Sequence, residues 1–345
     1  MIECPLPVSS HDRILLGHGS GGRLSAELIQ RVFLSGFGGT TLARLEDQAT
    51  VHVGQGVRIA LTTDSFVVRP LFFPGGDIGK LAVHGTVNDL AVGGAIPRYL
   101  CAAFILEESL LIDDLQRIVA SMRDACSEAG VELVTGDTKV VDKGKGDQAF
   151  IITSGIGIVP DGRTLSIGAA RPGDAVLVSG PIGDHGIAIL SVREGLQFTT
   201  ELTSDTMPLH DLCSDLLEAC AGTRCMRDPT RGGLASALCE LAVASAVGVR
   251  IREEAIPVRP EVRAACELFG LDPLHVACEG RIMAVVPGAD AERALSAMRS
   301  HPKGREASII GEIVGEDAGA VVMTSRLGTS RQVSMLAGEQ LPRIC

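Results

Sequence analysis

The chain has no tryptophan and one tyrosine, and aromatic residues make up 3% of its 345 residues. Platforms that stack single-stranded nucleic acid need aromatic rings, so that class of function is disfavoured. Basic residues are also outnumbered: 31 Lys and Arg stand against 42 Asp and Glu, a net charge of −11. Such a field repels polyanions and anionic membrane surfaces, so neither nucleic acid nor a membrane is expected as a partner. No apolar run approaches the ~20 residues of a membrane span, and the longest, from Leu234 to Val249, is broken by Glu240. The opening Met1-Ile2-Glu3-Cys4-Pro5 has no basic stretch followed by an apolar core, so no signal peptide is expected and the protein reads as cytoplasmic. No Cys-x-x-Cys pair occurs, and Cys220 with Cys225 lacks a second pair, which argues against structural zinc. Cys101, Cys126, Cys239 and Cys266 lie among apolar neighbours and read as small core residues.

What is present describes an ordinary globular protein: hydrophobic residues are 46% and charged residues 21%. The length points to two domains. Residues 1–40 read as a flexible, glycine-rich arm. Strands over 57–63, 99–106, 131–135 and 148–159, with helices over 77–92 and 111–129, make a first domain over 41–160. Asp161-Gly162 and Pro172-Gly173 then punctuate the chain. Strand–helix alternation resumes over 161–325, and 326–345 reads as a mobile tail ending in Cys345. The expected fold class is α/β (α+β) in two domains.

His18-Gly19-Ser20-Gly21-Gly22 matches neither a P-loop nor a dinucleotide fingerprint. It reads equally as a flexible loop or as backbone that wraps phosphate oxygens. Asp47, Asp64 and Asp137 sit at turns or strand ends and Asp89 lies inside an otherwise apolar helix, all beside small residues. Singly each suits a cap or a surface charge; together they suit a divalent cation on nucleotide phosphates. Asp228-Pro229-Thr230-Arg231-Gly232-Gly233 runs into a helix, so its amides and Arg231 suit an anion, or else it is simply an N-cap. Glu279, in Cys278-Glu279-Gly280-Arg281, is either salt-bridged to Arg281 or held neutral in a pocket, and spacing alone favours the bridge. A terminal thiol such as that of Cys345 carries weight only if an active site exists for it to visit.

These motifs, with Gly85-Thr86-Val87-Asn88-Asp89, Thr135-Gly136-Asp137-Thr138-Lys139 and the final Pro342-Arg343-Ile344-Cys345, resemble the HypE family of hydrogenase maturation factors over essentially the whole chain. That family belongs to the superfamily of aminoimidazole ribonucleotide synthetase and selenophosphate synthetase. The resemblance implies a homodimer formed through the N-terminal domain, and ATP with Mg²⁺ as cofactors. Asp64, Asp89 and Asp137 would be metal ligands. Gly19, Ser20, Gly21, Gly22, Asp47, Asn88, Thr138, Asp228 and Arg231 would bind the nucleotide. Cys345, Glu279 and Lys139 would be catalytic, with Glu279 favoured as the base because a lysine must first become neutral. The resemblance further implies that a carbamoyltransferase, HypF, loads Cys345. The carbamoyl group is dehydrated to a thiocyanate, and the cyanide passes to iron on the HypC–HypD complex for [NiFe] hydrogenase. The alternatives are another ATP-dependent synthetase or kinase of the superfamily, or a nucleotide-binding docking scaffold. Selenophosphate synthetase is disfavoured because no lysine precedes Lys80 and Cys4 is remote from the glycine loop.

Overall fold

The computed structural model describes residues 13–54, 56–195, 202–336, 338, 341, 344 and 345. Helical turns α1 (Arg23–Leu28) and α2 (Ser35–Phe37), bridged by a π-helical turn over Ile29–Leu34, stand where a flexible arm was expected. The glycines before them hide a run of good helix formers, Leu24 to Leu28. Residues 1–12 of that arm, and Pro342 and Arg343 of the tail, lie outside the described residues.

Strands β1 (Ala49–Val53) and β2 (Val57–Phe66) follow, then a tight hairpin of β3 (Phe72–Phe73) and β4 (Gly76–Asp77). Helix α3 (Ile78–Val92), strand β5 (Ile96–Glu107), helix α4 (Ile112–Ala129) and strands β6 (Glu132–Val141) and β7 (Ala149–Ile158) complete the first unit. Its sheet has the order β1-β2-β7-β5-β6, antiparallel except for β5 against β6. Asp77 starts α3 by accepting from Gly79 N–H and Lys80 N–H. Gly130, at φ 63°, ends α4 in the left-handed conformation that glycine adopts most easily.

The second unit contains β8 (Asp174–Val178), α5 (Asp184–Glu194), α6 (His210–Ala219), β9 (Cys225–Arg227), α7 (Gly233–Ala244) and β10 (Gly248–Arg252). It continues with α8 (Pro260–Phe269), β11 (Met283–Pro287), α9 (Ala291–Ser300), β12 (Ser308–Val314), β13 (Val321–Thr324) and β14 (Ser330–Val333). These strands form one sheet in the order β14-β13-β10-β12-β8-β11-β9. Strand β14 lies inside the segment expected to be tail. Its four residues carry one apolar side chain, Val333, so no alternation announces it; the turn at Gly328 folds it back onto β13.

Helix α3 positions everything that follows. It packs on α4, β2 and β7 on one side and on α6 and β9 on the other, so it is apolar nearly all round. Asn88, 1% exposed, is its inter-domain strut. Its Oδ1 accepts from Leu209 N–H at 2.8 Å, and Nδ2 donates to the Met207 and Glu279 carbonyls at 3.1 and 3.4 Å. The amide of Asn88, expected from the resemblance to bind nucleotide, is bonded here to the protein's own backbone. Replacing it with Ala leaves those buried groups unpaired, and a loss of about 2 kcal/mol is expected in urea unfolding. No helix among the described residues is long and apolar enough to cross a membrane.

Candidate functional site

Three acids from separate parts of the chain meet at the junction of the two units. Carboxylate oxygens of Asp47, Asp89 and Asp228 all lie within 4.8 Å of one another. Asp47 precedes β1, Asp89 comes from α3, and Asp228 directly follows β9. Thr62 on β2 ties two of them together, its hydroxyl 2.7 Å from Asp89 Oδ2 and 3.0 Å from the Asp47 carbonyl oxygen. Arg227 anchors the group: its Nε is 3.1 Å from Asp47 Oδ2 and its Nη2 2.8 Å from Glu240 Oε2.

Burial pushes all three acids above the ordinary carboxylate range, with Arg227 pulling Asp47 and Asp228 the other way. For Asp47 the neighbouring acids oppose the lowering effect of Arg227; for Asp89 they are Asp228, Asp64 and Asp47; Asp228 rises to about 6. Oxygen donors that repel one another in a half-buried corner are a donor set that suits a hard divalent cation. Asp64, on β2, stands beside them and 3.8 Å from Arg231 Nη2. The sequence grouped Asp64 and Asp89 with Asp137 and treated Asp228 as an anion site. The structure puts Asp228 among the acids instead.

Asp137, Thr138 and Lys139 lie elsewhere in the chain. They occupy β6, an edge strand exposed along nearly its whole length, with Lys139 Nζ 2.9 Å from Asp137 Oδ2. The order β2-β7-β5-β6 leaves Asp137 three strands from Asp64, or ~14 Å at the usual strand spacing. Within one chain, then, Asp137 does not join Asp64.

The tail does reach the site. Cys345 is 8% exposed, and one of its carboxylate oxygens accepts from Val67 N–H at 3.2 Å. Burial is the main cause of a thiol held far up its scale; Arg231 opposes this, while Glu279 and Asp64 reinforce it. Glu279 is 3% exposed and lies against that thiol. Its carboxyl is also pushed well up, first by burial and then by Asp228, Asp64 and Asp205, with Arg231 pulling the other way. One carboxyl oxygen, Oε1, has no hydrogen-bond partner among the described residues. The bridge to Arg281 that spacing favoured does not form. Arg281 donates to the Pro181 and Gly280 carbonyls at 2.8 and 2.9 Å, and its charge faces Asp205 and Asp184 at 3.6 and 3.7 Å.

A cavity of about 180 Å³ adjoins Cys345, bounded by Gly19, Ser20, Gly22, Arg231 and Leu336. The glycine loop is therefore a wall of the site. At Gly21, φ 72°, a Cβ would come within 2.6 Å of the Arg231 carbonyl oxygen. At Gly22 a Cβ would come within 2.4 Å of the Leu336 carbonyl oxygen. Only glycine lets the loop approach both the Arg231 turn and the tail this closely. Thr62, Arg227 and Asp205 were missed in the sequence. For Arg227 a signal existed, a cation directly before Asp228; for Thr62 and Asp205 there was none.

Residues 45–159 match the AIR synthase related protein N-terminal domain, and 171–324 match its C-terminal domain. The chain is 54% identical over 341 residues to a carbamoyl dehydratase HypE from Cupriavidus necator, covering 99% of this chain and 97% of the relative. The structure resembles HypE in a crystallised HypE–HypF complex with a TM-score of 0.85 at 50% identity, covering 90% of this chain and 99% of that one. It also resembles a HypE crystallised with ATP, with a TM-score of 0.81 at 48% identity, covering 96% of this chain and all of that one. The acid cluster, the glycine wall and a buried terminal thiol thus sit in a sequence related over almost its full length, and the chain belongs to the HypE family of carbamoyl dehydratases.

Proposed function

We propose that this chain uses ATP to dehydrate a carbamoyl group carried on its own Cys345, giving a thiocyanate that supplies cyanide for the iron of [NiFe] hydrogenase. The observation that carries the reading is the burial of the last residue's thiol against Glu279 and Arg231, beside the acid cluster and the cavity. A carbamoyl oxygen is a poor leaving group until it becomes a phosphate ester. The oxygen attacks the γ-phosphorus, the bond to the β-phosphate breaks, and ADP leaves as one N–H proton is lost. Removal of the second nitrogen proton then forms the C≡N bond while phosphate departs with the carbamoyl oxygen. The balance is a thiocarbamate and ATP in, a thiocyanate, ADP and phosphate out.

Glu279 suits the removal of nitrogen protons: it is buried, its Oε1 is unpartnered, and it lies against the sulfur that holds the group. Arg231 suits the phosphoryl oxygens, as do the backbone amides of the glycine loop. Mg²⁺ held by Asp47, Asp89 and Asp228, with Asp64 beside them, would neutralise charge on the triphosphate. Asp228→Asn is expected to lower ATP turnover by about 100-fold or more, read as phosphate release from the carbamoylated chain. Wild-type turnover in that variant would remove the acid cluster from the reading.

Homodimerisation belongs to the same proposal. The open side of the first sheet and its edge carry exposed Leu61, Leu133, Val134, Val140 and Ile158. A second copy seated there would cover them, and Asp137, Thr138 and Lys139 would then act across the interface. HypF as the carbamoyl donor rests on the family's HypE–HypF complex, and HypC–HypD as acceptor on the family chemistry. The deciding experiment is intact-mass analysis of the carbamoylated chain with ATP. Loss of one water from Cys345, with a heavy-oxygen label in the carbamoyl group emerging in phosphate, is expected. ATP hydrolysis without that loss would leave only the superfamily kinase or scaffold readings.

A further inference from the structure

His185 is completely buried on the first turn of α5. Its ring stands edge-on to Phe73, with centroids 5.5 Å apart. Nε2 meets the main-chain carbonyl of Ile344, the residue before Cys345, and Nδ1 lies 2.8 Å from Ser204 Oγ. A carbonyl can only accept, so the partner fixes the tautomer: Nε2 carries the proton. Nδ1 of the neutral ring then accepts from the Ser204 hydroxyl, whose oxygen takes the Thr206 N–H at 3.1 Å. The chain of bonds runs one way, from Thr206 through Ser204 and His185 to the tail. Burial lowers the pKa of His185 and keeps the ring in this neutral form.

We propose that His185 is a positioning residue for the dehydration, a hydrogen-bond latch that seats the last peptide of the docked tail so that Cys345 meets Glu279. The proposal rests on reading Cys345 as the tethered carrier. The latch works with a second, main-chain contact, Val67 N–H to a Cys345 carboxylate oxygen at 3.2 Å. Leu341 packs over Gly186, the neighbour of His185, where a Cβ would come within 3.3 Å of its Cδ1. Two donors thus hold the Ile344 carbonyl and the Cys345 carboxylate, and an apolar side chain closes the approach.

The energetics separate a latch from a merely structural histidine. In the docked tail the Ile344 carbonyl is out of water and needs its donor; released, it is hydrated and needs none. Removing the donor should shift tail docking while leaving the fold in place. An asparagine side chain reaches the Nδ1 position, keeping the Ser204 bond and losing Ile344. A glutamine side chain reaches the Nε2 position.

The test is the rate at which iodoacetamide alkylates Cys345 in the full-length, uncarbamoylated chain, followed by peptide mass spectrometry. His185→Asn and His185→Leu are expected to accelerate it about tenfold, with thermal unfolding confirming that at least one of them is folded. His185→Gln should restore the slow rate. In the carbamoylated chain, single-turnover dehydration should fall by the same factor in Asn and Leu while the KM for ATP is unchanged. A folded Asn or Leu variant with wild-type alkylation overturns the latch, as does a Gln variant as fast as Asn. If wild-type carbamoylated protein never loses water, the proposed dehydration fails, yet the alkylation rates still decide whether His185 holds the tail.

Discussion

A single glycine added after Cys345 is expected to lower dehydration by about 100-fold or more, while loading of the thiol by HypF continues. The docked thiol is buried, and an oxygen of its own residue's carboxylate is held by Val67 N–H at 3.2 Å. One more residue adds up to ~3.5 Å of chain where the terminal carboxylate now sits. Either the carboxylate or the sulfur must move, and reacting groups misplaced by an ångström lose most of their advantage. A cysteine fixed in a pocket by sequence on both sides would not behave this way. Intact-mass time courses of wild-type and extended chains, each fully carbamoylated, measure the effect. Equal rates would show that the seated tail is not the reacting one.

Glu279→Gln is expected to reduce dehydration by about 10²- to 10⁴-fold without unfolding the protein. The amide keeps the shape of the side chain, and the Glu279 backbone N–H still donates to Asp205 Oδ1 at 3.0 Å. Burial, followed by the nearby acids, raises the Glu279 pKa, so its basic form appears at higher pH than for an ordinary carboxylate. The wild-type rate should therefore climb with pH through a range above the usual carboxylate range, and the climb should vanish in Gln. The stability sign is opposite. A group whose folded pKa is raised stabilises fully below its unfolded pKa and loses that contribution as pH rises towards the folded value. At neutral pH the Gln variant should thus unfold at a higher temperature than wild type. A variant that keeps its rate, or one that loses both rate and stability, would speak against Glu279 as the base.

Much of the fold was legible because local signals agreed with the final packing. Strand β7 alternates buried and half-buried residues, and α4 is amphipathic, closed by Gly130. Strand β14 and helix α8 went unread: one carries a single apolar residue, and the other starts at Pro260 with its buried residues Val262, Ala265 and Cys266 on one narrow stripe. In the site, the terminal thiol, Glu279 and the glycine loop were legible as motifs. The grouping of acids was not. Asp64 and Asp137 look alike in sequence because each lies in an apolar strand, yet two strands intervene between theirs in the sheet. Asp228 looked like part of an anion loop, and only the packing of α3 against β9 brings it to Asp89. Motif spacing carries the chemistry of each residue, whereas strand order decides which residues meet.

The all-round burial of α3 has a consequence for how this architecture diversifies. Asp89 and Asn88 stand on a helix clamped by two cores, so displacing the acids means disturbing both cores at once. The cavity beside Cys345, by contrast, is bounded by a glycine loop and the end of the chain. Inherited change can reshape that wall without touching the helix that carries Asp89. A descendant could acquire a new oxygen-bearing substrate by exchanging a few terminal residues, while the acid corner stays as it is.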